Sequence, residues 1–234
     1  MSSVVSVPPR ASIEVGLAGE IVRLLAARAV FWPAAETLFI SDPHFGKSAT
    51  FRRFGMAAPD ETAGDLEKLG ALLKTTGAKR LVVLGDFFHA RLGRSDSILN
   101  HLRHWRRQWD RLKIVLVRGN HDKGAGDPPG DWNIECVSDG WRCGPFVCCH
   151  EPCDHAAGYV LAGHIHPGFA LSENNGGRLR MACFVIGSRR AILPAFGAFT
   201  GLAIQPSRPE EEIYGVHADE IVKVKGRSIA MSAA

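Results

Sequence analysis

One stretch of the sequence, TLFISDPH at residues 37–44, joins an apolar, strand-like run directly to an aspartate and a histidine. Four later stretches have the same arrangement, in which an apolar run ends in residue types that bind metals. They are LVVLGDFFH at 81–89, IVLVRGNHD at 114–122, FVCCH at 146–150 and YVLAGHIH at 159–166. Because α/β sheets collect their sites at the carboxyl ends of strands, we expect an α/β fold that brings these polar ends to one crevice.

The expected crevice has a mixed set of oxygen and imidazole donors. Asp42 and His44 lie two residues apart, as do His164 and His166. Residues at that spacing in an extended segment point to the same side. Asp86 has two carboxylate oxygens, with which it can bridge two cations. Such a set binds two divalent metals, and a metal pair is a means of hydrolysing phosphate esters. A turn aspartate or a surface histidine is the alternative for each motif alone, and the presence of all five favours the metal site.

The GNHD motif at 119–122 is the most specific of these signals. Asn120 offers a neutral oxygen ligand, and His121 would lie close to the metals without needing to bind them. Asp122 can then fix the tautomer of His121 and raise its basicity. A simple Gly-Asn turn is the alternative, which the preceding apolar run disfavours. His150 offers a further imidazole nitrogen, whereas we interpret His89 as a neighbour of the ligands rather than a ligand.

Length and composition favour a single domain that does not associate with membranes. The chain has 234 residues and a formal net charge of +4, so a DNA partner would need a local basic patch. No apolar run reaches membrane-spanning length, the N-terminus lacks the pattern of a signal peptide, and we expect a cytoplasmic location. We expect a loose segment at 1–12, one domain at 13–225 and a frayed tail at 226–234. The oligomeric state is left open.

Helix-capping and turn-forming residues indicate where helices and turns are expected. Asp60 can N-cap a helix whose apolar positions recur at helical spacing as far as Gly77. The preceding segment, 46–59, is expected to be a loop. A hairpin is expected around residues 174–177, which read NNGG.

Two groups of basic residues could contact phosphates. The first surrounds the expected metal crevice, and we interpret its members as contacts for phosphates next to the scissile bond: Lys47, Arg52, Arg53 and Arg91. The second forms one stripe of a helix predicted at 97–111: Arg103, Arg107 and Arg111. For this stripe a solvated face and a phosphate-contacting ridge are equally good interpretations. Trp105 and Trp109, on the apolar stripe of the same helix, are assigned to core packing rather than to base stacking.

The five motifs, in this order, resemble those of the calcineurin-like metallophosphoesterase superfamily. Longer segments resemble more closely the bacterial ligase-associated DNA damage response endonucleases: HFGKSATFRR at 44–53, GDFFHAR at 85–91, HEP at 150–152, GHIHP at 163–167 and LPAFGAFTG at 193–201. Pro43 departs from that family's pattern, in which an apolar residue such as leucine is usual. The resemblance implies a four-layer α/β/β/α sandwich with a dimetal site at the carboxyl ends of the strands.

The resemblance also implies a role for each candidate residue. The first metal would take Asp42, His44, Asp86 and His166. The second would take Asp86, Asn120, His150 and His164. Asp86 would bridge the two metals, and His121 would be the catalytic histidine, supported by Asp122.

The expected activity is that of a metal-dependent phosphodiesterase or nuclease that cleaves DNA with a metal-activated water. Mn²⁺ is the expected metal, and Fe and Zn²⁺ suit the same donors. The resemblance implies repair partners as well: an ATP-dependent DNA ligase, a helicase and a second nuclease. Two alternatives stay open. One is a phosphatase or phosphodiesterase acting on a small nucleotide or other phosphoester, and the other is a non-catalytic scaffold, which would be expected to have lost ligands.

Overall fold

The computed structural model describes residues 11–172, 178–204 and 208–224, and these ranges form two β-sheets and four α-helices. The first sheet has seven strands that lie side by side in chain order. They are β1 (Ser12–Leu17), β2 (Glu20–Leu25), β3 (Ala29–Trp32), β4 (Thr37–Ile40), β5 (Arg80–Leu84), β6 (Lys113–Val117) and β7 (Ile134–Val137). The first four are antiparallel neighbours, and β4 to β7 are parallel.

The second sheet has nine strands. They are β8 (Trp141–Cys143), β9 (Phe146–Cys148), β10 (Tyr159–Ala162), β11 (Pro167–Ser172), β12 (Arg178–Ile186), β13 (Arg190–Ile192), β14 (Ala203–Ile204), β15 (Glu212–His217) and β16 (Glu220–Val224). Seven of them lie in the order β14-β11-β12-β13-β10-β9-β8, while β15 pairs with β12 and β16 pairs with β15. Strands β9, β10 and β13 are parallel. Their carboxyl ends therefore meet at one edge, as those of β4 to β6 do in the first sheet.

The four helices follow strands of the first sheet. They are α1 (Lys47–Arg53), α2 (Thr62–Thr76), α3 (Asp96–Gln108) and α4 (Asn120–Ala125). Each contributes apolar side chains to a cluster that also contains the outward-facing residues of the first sheet, such as Leu38, Leu81 and Leu116. The apolar stripes predicted for α2 and α3 are thus the faces that these helices bury.

A second apolar cluster fills the space between the two sheets. It joins residues of β4 to β6, such as Phe39 and Val82, to residues of the second sheet, such as Phe146, Leu161 and Phe184. Phe39 and Phe146 meet edge to face, with ring centroids 6.1 Å apart. The expected α/β sandwich of two sheets and helices is confirmed. Within the described ranges no α-helix follows β7, so those ranges supply no fourth, helical layer on the outer face of the second sheet.

Three local predictions have different outcomes. The segment 46–59, expected to be a loop, begins with α1, which packs against a 3₁₀ turn at Arg91–Gly93. Asp60 is not the N-cap of α2, because the helix begins at Thr62 with Glu61 as its N-cap; Asp60 Oδ1 instead accepts the Thr62 N–H at 3.3 Å. Gly77 ends α2 as predicted, in a left-handed conformation with φ of 67°.

Some expectations fall beyond the described ranges. The turn expected at residues 174–177 lies outside them, although β11 and β12 on either side pair antiparallel. Most of the segment expected to be loose at 1–12 and all of the tail at 226–234 lie outside as well. No helix in the described part of the chain is long and apolar enough to cross a membrane.

Candidate metal centre

The candidate residues lie just beyond the carboxyl ends of β4, β5, β6, β9 and β10, where the two sheets meet. Five of them have a left-handed backbone with φ between 46° and 68°: Asp42, His44, Asp86, His164 and His166. Non-glycine residues rarely adopt this conformation, and such strain is typical of functional sites. The sequence argument had placed Asp42 and His44 in extended chain, but β4 ends at Ile40 and both residues lie beyond it with a left-handed backbone.

Glycines allow the backbone to approach these side chains. A Cβ at Gly85 would overlap Nδ1 of His150, and one at Gly119 would overlap Oδ1 of Asp86. A Cβ at Gly163 would overlap Oδ2 of Asp42. The glycines of the GD, GN and GH motifs are therefore needed because any larger residue would occupy the space of a candidate ligand.

The first group of donors consists of Asp42, His44 and His166, whose candidate ligand atoms lie within 4.8 Å of one another. Nε2 of His44 is 3.3 Å from Nε2 of His166, and the latter is 3.5 Å from Oδ1 of Asp42. Asp42 and His44 are buried, whereas His166 is partly exposed. The group therefore faces the crevice through His166.

The second group consists of Asp86, His150 and His164, which meet the same distance criterion. Nε2 of His150 lies 2.9 Å from Nδ1 of His164 and 2.8 Å from the side-chain oxygen of Asn120. Nδ1–H of His150 donates a hydrogen bond to the carbonyl oxygen of Leu84 at 3.0 Å. The unprotonated Nε2 is therefore the ring nitrogen that can bind a metal. Asn120 is thus brought into the group that the sequence assigned to it.

Asp86 lies between the two groups. Its Oδ2 is 3.7 Å from Nε2 of His44, and its Oδ1 is 3.5 Å from Nε2 of His150. One carboxylate oxygen therefore faces each group, which is the arrangement that a bridging ligand requires.

The donor atoms fit a pair of cations. Oδ1 of Asp42 is buried and has no hydrogen-bond partner, and a buried carboxylate oxygen without a partner is costly. The Nε2 atoms of His44 and His166 lie 3.3 Å apart. A shared cation would satisfy all three atoms, and their mixture of oxygen and imidazole suits Mn²⁺, Fe and Zn²⁺.

Burial favours the uncharged forms of the ionisable side chains in the centre. It is the main cause of the lowered pKa of His44, and it lowers the pKa of His89 to about 4. Both rings are therefore neutral near pH 7, and neutral imidazole is the metal-binding form. Burial also raises the pKa of Asp86, which a bound cation would reverse by favouring the charged carboxylate.

His121 is held beside the centre by contacts other than those expected. Its backbone N–H donates to Oδ1 of Asp86 at 2.9 Å, and its Nδ1 donates to the carbonyl oxygen of His89 at 2.6 Å. This leaves Nε2 facing the site, 4.0 Å from Oδ2 of Asp86. The carbonyl of His89, rather than the carboxylate of Asp122, therefore fixes the tautomer of His121.

Asp122 has a different task, which corrects the sequence-based interpretation. Its carboxylate is buried and accepts the backbone N–H groups of Asp86 at 2.8 Å, Phe87 at 3.0 Å and Gly119 at 2.8 Å. The segment after β5 and the segment after β6 are thereby tied together. Asp122 holds the backbone that carries the candidate ligands and His121.

His89 packs against two of the histidines. Its ring stacks on that of His121 with centroids 4.9 Å apart and meets the ring of His44 edge-on at 5.3 Å. The three histidines also form a third group with donor atoms within 4.8 Å of one another. The position is that of a neighbour of the ligands, with its own nitrogen within reach of a cation.

The basic residues around the centre are not equivalent. Lys47 is half-buried, and its Nζ lies 6.0 Å from the ring centres of both Phe51 and Phe199. Arg52 donates to the carbonyl of Ala58 at 2.8 Å and lies 3.5 Å from Asp60, so its charge is already engaged. Arg52, Arg53 and Arg91 are all exposed, and Lys47 is the only half-buried member of this group.

The arginines of α3 divide in a similar way. Arg106 is buried, and its guanidinium donates to the carbonyl oxygens of Trp132, Trp109, Asp110 and Leu112. Arg103 bonds the side chain of Asn100 at 2.9 Å, and Arg107 is exposed. Arg111, which was predicted on the same helical stripe, is exposed in the turn that follows the end of α3 at Gln108. Trp105 is buried in the core, as predicted, with its ring 6.5 Å from that of Trp109.

The sequence reasoning missed the part played by the segment 194–200 at the mouth of the site. The N–H of Phe196 donates to the carbonyl of Ser41 at 2.8 Å, and a Cβ at Gly197 would overlap the carbonyl of Pro43. Asp65 of α2 accepts the N–H of Ala198, and Phe199 then meets Phe51 edge to face at 5.4 Å. The LPAFGAFTG motif was the available signal, because it contains Gly197 and both phenylalanines.

Comparisons with known proteins identify a family for this chain. The family model described as calcineurin-like phosphoesterase matches residues 36–166. Among solved structures, the crystal structure of Pseudomonas putida nuclease MPE shares 40% identity with a TM-score of 0.78, and the match covers 88% of this chain and 96% of that one. The E. coli phosphoesterase Yfce shares 14% identity with a TM-score of 0.36, covering 77% and 87% of the two chains. A search of curated proteins found no match.

Proposed function

The chain belongs to the calcineurin-like phosphoesterase family, and from that premise we propose that it is a dimetal phosphodiesterase that cleaves DNA. The single observation that carries the proposal is the position of Asp86, with one oxygen 3.7 Å from His44 and the other 3.5 Å from His150. A carboxylate shared in this way is suited to two metals, and two metals are suited to phosphate esters.

We assign the ligands by the two groups of donors. Asp42, His44, Asp86 and His166 would hold the first cation. Asp86, Asn120, His150 and His164 would hold the second. Mn²⁺ is our proposed metal, with Fe and Zn²⁺ suited to the same donors.

The residues of the chain position the substrate and move a proton. When bound, a cation pair supplies charge neutralisation at the phosphoryl oxygens and lowers the pKa of an attacking water. His121 has its Nδ1–H committed to the carbonyl of His89, so Nε2 is the atom that takes up a proton from solvent and, as part of the imidazolium, delivers it to the leaving oxygen. Such general acid catalysis typically contributes about 10²–10⁴-fold. Asp122 keeps His121 in place through the backbone of Gly119.

The choice of DNA as substrate is supported by the basic rim and by the nuclease among the similar structures. Lys47 begins the helix directly beyond His44, and Arg53 and Arg91 are exposed on the two elements that pack together beside it. Their charges can hold phosphates on either side of the scissile bond. We also propose that the enzyme acts in the cytoplasm in ligase-associated DNA repair, together with an ATP-dependent ligase, a helicase and a second nuclease.

A screen of metals against substrates tests the function. The purified protein is depleted of metal, reloaded with Mn²⁺, Fe²⁺ or Zn²⁺, and assayed on labelled DNA, bis-p-nitrophenyl phosphate and a nucleotide monoester. We expect cleavage of DNA and of the diester, greatest with Mn²⁺, and loss of both activities in Asp86→Ala. Rapid turnover of the nucleotide without cleavage of DNA would identify a small-molecule phosphatase instead.

A further inference from the structure

Two cysteines enclose the loop that carries His150. Cys149 and Cys153 have their Sγ atoms 3.6 Å apart, and both are free thiols. Between them lie His150, Glu151 and Pro152. The five residues therefore form a short loop that is nearly closed through its two sulfurs, with a proposed metal ligand inside it.

The two sulfurs differ in accessibility and in restraint. Cys149 is 2% exposed, and its N–H extends the sheet by donating to the carbonyl of Leu161 at 3.0 Å. Cys153 is partly exposed and follows Glu151, which is exposed, and Pro152. A reagent in solvent would therefore react first with Cys153. Cys149 is buried next to it and is the thiol that can then react with the oxidised Cys153.

We propose that Cys149 and Cys153 form a reversible disulfide on exposure to a peroxide, and that this bond displaces His150 and switches the enzyme off. The effect of the disulfide on activity rests on the proposed function, whereas the formation of the disulfide does not.

The chemistry is balanced with one peroxide molecule. The thiol of Cys153 takes one oxygen from hydrogen peroxide, giving a sulfenic acid and one water. Sγ of Cys149 then attacks the sulfenic sulfur, so that the S–S bond forms and the S–O bond breaks. The hydroxide leaves with the proton of the Cys149 thiol as a second water. Two electrons pass in total from the two thiols to the peroxide, and an added dithiol returns them by exchange.

Formation of the disulfide would move the loop that contains His150. A disulfide has sulfurs about 2.05 Å apart, so the two atoms must approach by roughly 1.5 Å. Cys149 is held by the sheet, and the loop must therefore supply the movement. His150 is held by its backbone N–H on Asp139 at 2.6 Å and by its Nδ1–H on the carbonyl oxygen of Leu84 at 3.0 Å. A misplacement of about 1 Å at a catalytic centre can cost about 10²-fold, and we expect activity to fall at least about tenfold.

The test uses the metal-loaded protein with and without hydrogen peroxide. Free thiols are blocked with iodoacetamide, the protein is reduced, and newly released thiols are labelled with N-ethylmaleimide before tandem mass spectrometry. We expect maleimide on Cys149 and Cys153 after peroxide, a matching loss of phosphodiesterase activity, and recovery of both by dithiothreitol. Bound metal is measured on the same samples, where we expect a loss from the second site.

Two variants separate this mechanism from general oxidation. Cys153→Ser should keep its activity in peroxide and acquire no maleimide at Cys149. Cys136→Ser, at a partly exposed thiol elsewhere, should respond to peroxide as the unmodified protein does. Inhibition that persists in Cys153→Ser would overturn the switch, and so would a disulfide that forms without changing activity. Absence of the maleimide pair would overturn the bond itself, even where the metal and substrate screen supports the proposed function.

Discussion

The carboxylate of Asp122 accepts the backbone N–H of Asp86 at 2.8 Å, and with the same oxygen it accepts the N–H of Gly119 at 2.8 Å. Two segments that each carry candidate ligands are thus fixed to one buried side chain. Asp122 therefore acts on the proposed bridging residue through its backbone N–H.

We expect Asp122→Asn to weaken metal binding about 10–100-fold. The reason is that the side-chain NH₂ of asparagine would face at least one of the backbone N–H groups that now donate to the carboxylate, and two donors cannot form a hydrogen bond. The measurement is metal content after dialysis against graded concentrations of a chelator. Asp127→Asn is the matched control, since Asp127 is an exposed carboxylate paired with Arg118. Equal metal retention in both variants would show that the Asp122 contacts do not organise the site.

Asp86→Ala should lower the metal content from two ions per chain toward one or none. The reason is that its two oxygens face different groups of donors. Elemental analysis of protein equilibrated with excess Mn²⁺ measures the stoichiometry, with Asp127→Ala as the control. A wild-type stoichiometry of one in excess Mn²⁺ would contradict the bridging role.

His121→Ala should keep its metals and lose about 10²–10⁴-fold in turnover of bis-p-nitrophenyl phosphate. Its ring is oriented by the His89 carbonyl and is absent from the two groups of proposed ligands. The paired measurement is kcat with metal content on one preparation. A variant that loses metal but keeps its activity per bound ion would make His121 a ligand instead of a proton donor.

Much of this site could be predicted from the sequence because its residues directly follow strands. Asp86, for example, comes two residues after β5 ends at Leu84, and parallel pairing with β4 and β6 brings the neighbouring motifs beside it. What the sequence could not give is the path of the chain between strand and ligand. The left-handed backbone conformations at Asp42 and His44 depend on tertiary contacts. One of these is the hydrogen bond from the N–H of His44 to the carbonyl oxygen of Asp86.

The unexpected helix α1 has a similar explanation. Its N-cap is Gly46, which has no side chain to accept a backbone N–H, and local signals therefore favour a loop. The helix is stabilised by close backbone packing, since a Cβ at Gly46 would overlap the carbonyl of Gly93. The role of Asp122 was also missed for a tertiary reason. Asp122 lies next to His121 in sequence, but its carboxylate oxygens accept backbone N–H groups whose positions cannot be found from sequence spacing alone.

Arg106→Ala should destabilise the protein by about 1–3 kcal/mol or more, because it leaves buried carbonyl oxygens at the end of α3 without a donor. These oxygens belong to Trp132 and to three residues of the α3–β6 connection, Trp109, Asp110 and Leu112. Urea unfolding followed by circular dichroism measures the change. Arg107→Ala, on the exposed face of the same helix, should stay within about 0.5 kcal/mol of wild type. Similar unfolding midpoints for the two variants would contradict the structural role.

Removal of the free charges at the rim tests the substrate. In the combined variant Lys47→Ala, Arg53→Ala and Arg91→Ala, each lost phosphate contact should flatten the slope of log affinity against log salt by about 0.7–0.9. Arg52 is left out of this set, because its guanidinium already bonds Ala58, and Arg52→Ala should affect the stability of the α1 segment more than DNA binding. Fluorescence anisotropy with labelled DNA at several salt concentrations gives the slopes.

The same variant should lose more activity on DNA than on bis-p-nitrophenyl phosphate, because the small ester does not extend to the rim. Arg142→Ala is the control, since Arg142 is exposed on β8 and lies outside the two basic groups. The pair Arg107→Ala and Arg111→Ala should flatten the salt slope further only where DNA continues across α3. Equal losses on DNA and on the ester would show that the rim residues support the metal centre rather than the substrate. A salt-independent affinity for DNA would contradict the phosphate contacts altogether.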